Sequence, residues 1–299
     1  MAVVSPRGAE SRPGARARSA KATLAGALRD ITYEVLPFKN AEDKVLAHVP
    51  TDVGLTVTTT EAKGLGPTTD LAGRLTRQGY RVAPHIAARL VRDEAHLADV
   101  VAQLQESGVD RLFVIGGDAA EPAGTYPDAQ SLLEGLRNLG HPFTSVGIGG
   151  YPEGHGNIRD ELIERSLEAK APHATEIITQ LCFDARTTVR WACGAGVRGT
   201  RLPIRVGIPG AVGRQKLIRV SAGLGLGQSA RFLKKQQSML WRFFLPGGYR
   251  PGKLVERLSP AFAEADNNLY GFHVFTFNDL DSTEAWRQNR LARLCEETS

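Results

Sequence analysis

The stretch Glu94–Asp118, EAHLADVVAQLQESGVDRLFVIGGD, decides the fold. Leu97, Val100, Val101 and Leu104 fall at helical spacing, which gives one apolar face. Gly108 follows as a stop signal. Then RLFVIG (Arg111–Gly116) is short, apolar and without alternation, the pattern of a strand buried on both faces, as parallel strands are. A helix feeding such a strand is half of a βαβ unit.

The same rhythm extends in both directions. Strand-like runs stand at Ile31–Pro37, Gly54–Thr60, Tyr80–Ala87, Arg111–Gly116, Phe143–Gly149, Thr175–Phe183, Leu202–Ile208 and Tyr270–Phe277. Helical stretches are expected at Glu94–Ser107, Ala129–Leu139, Ile158–Ala169, Asp184–Ala192 and Arg214–Ala222. Eight strand-and-helix repeats predict an α/β protein with a single (β/α)8 TIM barrel. The long interval between Ile208 and Tyr270 predicts an insertion there with about two helices, Gln228–Phe244 among them.

The chain has 299 residues, of which 42% are hydrophobic and 23% charged, enough apolar material for a large core. No apolar run is long enough to span a membrane, and the start lacks the apolar core of a secretory signal. Cys182, Cys193 and Cys295 form no CxxC and no even framework, which points to a reducing, cytoplasmic setting rather than a disulfide scaffold or zinc ribbon. The net charge is +5, but residues 1–22 carry Arg7, Arg12, Arg16, Arg18 and Lys21 against Glu10. The basic character therefore belongs mostly to a disordered tail over 1–22, with the barrel over 23–299 and no nucleic-acid partner expected.

Polar residues gather at the carboxyl ends of the predicted strands: Glu34, then Thr58 to Thr60, His85, Asp118, Tyr151 with Glu153 and His155, Gln180 with Asp184, and Thr276 with Asn278. In a closed parallel barrel these ends converge on one mouth, where active sites are built, so the pattern points to an enzyme. Glu34 stands alone in an apolar strand, ITYEVLP; desolvation there raises a carboxyl pKa and suits a general acid. Asp118 closes VIGGD, where glycines such as Gly117 allow close approach to the backbone. The literal GxGxxG at Gly194–Gly199 follows a helix and precedes a strand, so it reads as a helix end rather than a dinucleotide fingerprint. Gly223, Gly225 and Gly227 could still cradle a phosphate if a helix begins near Ser229. No set of His, Cys and acidic residues has metal-ligand spacing.

Taken in order, YEVLPFK (Tyr33–Lys39), TVTTT, APH (Ala83–His85), GGD (Gly116–Asp118), GYPEGH (Gly150–His155), IITQLCFD (Ile177–Asp184), GIPG (Gly207–Gly210) and GFHVFTFN (Gly271–Asn278) resemble the methylenetetrahydrofolate reductase family over residues 30–280. The resemblance implies a (β/α)8 barrel that reduces 5,10-methylenetetrahydrofolate with NADH or NADPH. Hydride would pass through FAD, or directly, since Thr60-Glu61 and Gly116 depart from the family's usual strand ends. It further implies Glu34 as general acid, Asp118 beside flavin and pterin, and Gln180 and Phe183 on the folate. Thr58, His85, Gly117, Tyr151, His155 and Lys170 would hold the flavin. The partner implied is a small-molecule folate, with homo-oligomers known in the family. The same reaction run oxidatively, and a non-catalytic barrel that binds folate or a protein, are the alternative readings.

Overall fold

Each of the eight apolar runs is a strand in the computed structural model, which describes residues 13–156, 158–213, 251–264 and 267–296. The strands are β1 (Thr32–Val35), β2 (Gly54–Val57), β3 (Val82–Ala87), β4 (Arg111–Ile115), β5 (Ser145–Gly150), β6 (Glu176–Thr179), β7 (Ile204–Pro209) and β8 (Leu269–Phe275). They pair in sequence order, all parallel, and β8 closes on β1. The predicted barrel is therefore the observed one.

Among the described residues the helices are α1 (Pro13–Arg29), α2 (Ala41–His48), α3 (Gly66–Arg77), α4 (Glu94–Glu106), α5 (Ala129–Leu139), α6 (Asp160–Lys170), α7 (Ala185–Val197), α8 (Gly252–Leu258) and α9 (Leu280–Glu296). Three start on an aspartate that accepts a backbone N–H three residues on: Asp93 from His96, Asp128 from Ser131 and Asp184 from Thr187. The glycines of the GxGxxG match confirm a helix end, since α7 runs to Val197 and Gly199 turns the chain at φ 92°. Helix α1 begins at Pro13, so the expected disordered tail over 1–22 is corrected for residues 13–22. The expected helices Arg214–Ala222 and Gln228–Phe244, and the glycines 223–227, lie outside the described residues.

Two cores follow from the alternation of side chains along each strand. Outward residues such as Tyr33, Val35, Val57, Val82, Phe272 and Val274 meet the helices in one continuous apolar layer. Inside the barrel, Ala83, Phe113 and Ile178 form a smaller apolar plug with Ile115. The amino end of the barrel is sealed by charge. Arg205 on β7 binds Glu176 at 3.1 Å and Asp30 at 3.0 Å, and its guanidinium lies 4.4 Å from the Tyr270 ring centre. The Tyr270 hydroxyl donates to Glu176, so each group of this plug has a partner.

Candidate active site

Parallel partners face the same side of a sheet. The pairs Glu34↔Thr56, Thr56↔Ala83, His85↔Phe113 and Thr32↔His273 therefore place these side chains together inside the barrel. The Glu34 carboxylate lies 3.6 Å from His273 Nε2, and its side chain keeps 15% exposure, so it reaches the mouth while most of it is shielded. Burial pushes Glu34 up to about 7, against the charge of His85, which favours ionisation. Burial also holds His85 down to about 4 and His273 down to about 3. Near neutral pH the site is thus a carboxyl at its titration midpoint beside two uncharged imidazoles.

His273 is oriented from behind. Its Nδ1 lies 2.9 Å from the Thr32 hydroxyl, and that hydroxyl also reaches the Phe272 carbonyl at 3.4 Å. With Thr32 donating to the carbonyl, Nδ1–H donates to Thr32, and the Nε2 lone pair is left toward Glu34. Aromatic edges frame the pair: His85 meets Phe113 at 4.6 Å and His273 meets Phe275 at 5.1 Å between ring centres. The strand ends are stitched together just above. The Thr276 hydroxyl donates to the Glu34 carbonyl at 2.5 Å. The Asn278 amide receives from Leu36 N–H at 2.8 Å and donates to the Leu36 carbonyl at 2.9 Å.

The remaining expected residues divide into two groups. Thr58, just past β2 with its N–H donated to the Val35 carbonyl at 2.9 Å, is buried and its hydroxyl has no hydrogen-bond partner. Around the rim, Asp118 is exposed, and its charge, after burial, helps raise Tyr151, whose ring meets His155 at 5.3 Å. Gly117 turns at φ 87°, and a Cβ there would stand 3.0 Å from that of Ala87, so the backbone approach allowed by glycine is real. Gln180 folds back to accept the Leu181 N–H at 2.9 Å. Phe183 is buried and donates its backbone N–H to Glu153 at 2.6 Å. Lys170, at the end of α6, is buried and held down to about 8 by desolvation, opposed by the charge of Asp128.

A cavity of about 530 Å³ opens beside the rim between the loop after β5, α6 and α7, lined by Tyr151, Glu153, Asp184 and Trp191 among others. Three of its four carboxylates already serve the fold. Glu153 accepts the Phe183 and Asp184 N–H groups, Asp184 caps α7, and Glu164 pairs with Arg198 at 3.3 Å. Among the described residues no group of three or more His, Cys, Asp or Glu side chains could hold a metal ion. No described helix is long and apolar enough to cross a membrane.

Sequence reasoning missed His273, Thr32, Thr56 and Phe113. GFHVFTF read as one apolar run, yet His273 lies two residues before Phe275 and so shares its inward face. That period-two phase was the available signal.

No family model matches the chain. Solved structures with a similar fold include a candidate phosphonomutase and a candidate lyase/mutase, both from Burkholderia cenocepacia J2315. The first has 10% identity and a TM-score of 0.45 over 95% of this chain and 99% of that one. The second has 15% identity and a TM-score of 0.44 over 94% and 86%. A candidate deoxyribose-phosphate aldolase from Toxoplasma gondii has 12% identity and a TM-score of 0.48 over 90% and 97%. The expected reduction of methylenetetrahydrofolate is corrected here: these structures are named for mutase, lyase and aldolase chemistry, and none for hydride transfer to a folate. At such identities the likeness extends to the barrel alone, and the chemistry has to come from this chain's own residues.

Proposed function

We propose that the protein is an enzyme whose barrel mouth performs acid–base catalysis on a small organic molecule, with Glu34 as the proton-carrying residue. One observation carries this reading: Glu34 is an isolated, largely shielded carboxyl poised near neutrality, 3.6 Å from a neutral histidine that Thr32 holds in place. A carboxyl with its pKa near the working pH is half protonated. It can give a proton to a leaving or rearranging heteroatom and take one back in the next step. His273 Nε2, 3.6 Å away and uncharged, presents a lone pair toward the protonated carboxyl and so positions it. The site sits at the carboxyl ends of the strands, where barrels place their chemistry. This chemistry suits bond cleavage or rearrangement, the reactions of lyases and isomerases.

The test is a titration of the Glu34 carboxyl carbon by NMR in the full chain, assigned with Glu34→Gln. The expected midpoint is about 7. A midpoint in the ordinary carboxylate range would overturn the reading. Once a substrate is in hand, Glu34→Gln should lower kcat by about 10²- to 10⁴-fold, the usual worth of a general acid.

A further inference from the structure

Four buried polar atoms around Glu34 have no hydrogen-bond partner: Thr56 Oγ1, Thr58 Oγ1, His85 Nε2 and His273 Nε2. Thr56 is 1% exposed, Thr58 8%, His85 5% and His273 0%. Folded chains leave few such atoms unmet, because each is costly; of the eight among the described residues, four gather here. Three of them, on β8, β2 and β3, and a fourth on Thr58 just past the end of β2, stand around the carboxyl on β1. Together they are hydrogen-bonding positions that the fold itself does not match.

The charge of the guest is set by what surrounds it. The two hydroxyls are neutral, and both imidazoles are uncharged near pH 7. Among the eight strands only Arg111 and Arg205 are cationic, and both stand at the amino ends. Arg111 pairs with Asp110 at 3.3 Å, and Arg205 is bound to Glu176 and Asp30. An anion entering from the mouth would lose its hydration, meet no unpaired strand cation, and face the Glu34 carboxyl.

We propose that the ring formed by Thr56, Thr58, His85 and His273 is a subsite for an uncharged hydrogen-bonding group of the substrate, amide-like in its donors and acceptors, and that it excludes carboxylate and phosphate groups. This rests on the reading of the Glu34 mouth as the site of chemistry, and it adds which part of the substrate goes innermost. Any charged part must stay at the rim.

Acetamide and acetate, nearly identical in shape and different in charge, are the probes. The full chain is labelled with ¹⁵N-histidine, and the Nε2 signals are assigned with His85→Asn and His273→Asn. Acetamide should move both Nε2 signals saturably at neutral pH, and acetate should bind at least about tenfold more weakly, the least that burial of an unpaired charge costs. Thr56→Val, which keeps the shape and removes the hydroxyl, should weaken acetamide several-fold and leave acetate unchanged.

Acetate binding as well as acetamide would overturn the proposal. So would the absence of a saturable shift with either probe, because water alone would then satisfy the four atoms. The same titrations on Glu34→Gln separate this proposal from the one beneath it. There the acid plays no part, and the preference for acetamide should persist because no unpaired cation lines the strands. A preference that persists while Glu34 titrates as an ordinary carboxyl leaves the subsite standing without the acid. Acetate winning while Glu34 titrates near 7 leaves the acid standing without the subsite.

Discussion

Glu34 and the two histidines pull stability in opposite directions with pH. The Glu34 carboxyl binds its proton more tightly in the folded chain than in the unfolded one. Its contribution is therefore full below about pH 4.5 and is lost as pH rises through about 7; the shift converts to roughly 3 kcal/mol. His85 and His273 have lowered folded values, so their contribution is present above about pH 6.5 and is lost as pH falls through about 4 and 3. Glu34→Gln removes only the first effect. Denaturant unfolding should find this variant more stable than the native chain at about pH 8 and nearly equal to it at about pH 4.5. A difference that does not change with pH would mean that Glu34 is not held protonated by the fold. Glu34 and His85 were legible in the sequence because each is a polar residue inside an apolar strand. Thr56 was not, because in TVTTT four threonines share one strand end and the sequence does not say which of them faces inward.

At the scale of elements, two side chains fix the loops that carry the rim. Arg89, just after β3, donates to the carbonyls of Ala119 at 2.6 Å, Ala120 at 2.6 Å and Pro127 at 2.9 Å. One guanidinium thus clamps both ends of the loop that begins with Gly117 and Asp118. A lysine keeps the charge but not the planar fork, so Arg89→Lys should speed hydrogen exchange across 117–127 and leave the core amides unchanged. Glu153 performs the matching task on the other side by accepting two N–H groups at the start of α7. Glu153→Ala should destabilise the chain by about 1–2 kcal/mol in denaturant unfolding, the worth of a lost helix cap. The sequence showed α4 to α7 clearly, because their buried faces are mostly apolar. Helices α3 and α9 did not register, for a physical reason. α3 buries Thr68 and Thr69, and α9 buries Thr283, Glu284 and Arg287, so polar residues interrupt the stripe that periodicity detects. Glu284 and Arg287 are paired at 2.8 Å, and the Tyr33 hydroxyl donates to Glu284 at 2.8 Å. The i,i+3 pair and the Tyr33 hydroxyl from β1 together make such burial tolerable, and the helix alone does not reveal the second of these.

Over the whole molecule, the barrel is polar at the mouth, apolar in the middle and ionic at the base. The base has the most to lose from a single change. Arg205→Met would strand Glu176, which is 15% exposed, without its cation. The expected cost is about 3 kcal/mol, since removing one partner of a shielded pair leaves an uncompensated charge. Thermal unfolding would show it, and Arg205→Met with Glu176→Gln should recover part of the loss.

The circle itself closes at one seam, where β8 meets β1 through Thr32↔His273, Tyr33↔Val274 and Glu34↔Phe275. Thr276 and Asn278 tie its upper end to the backbone of Glu34 and Leu36. A closed barrel has no strand edge to offer another chain. If this tie were cut, two complementary edges would be freed at the same moment. Weakening the seam therefore invites strand exchange between molecules before it invites unfolding, and the circular closure also guards against self-association.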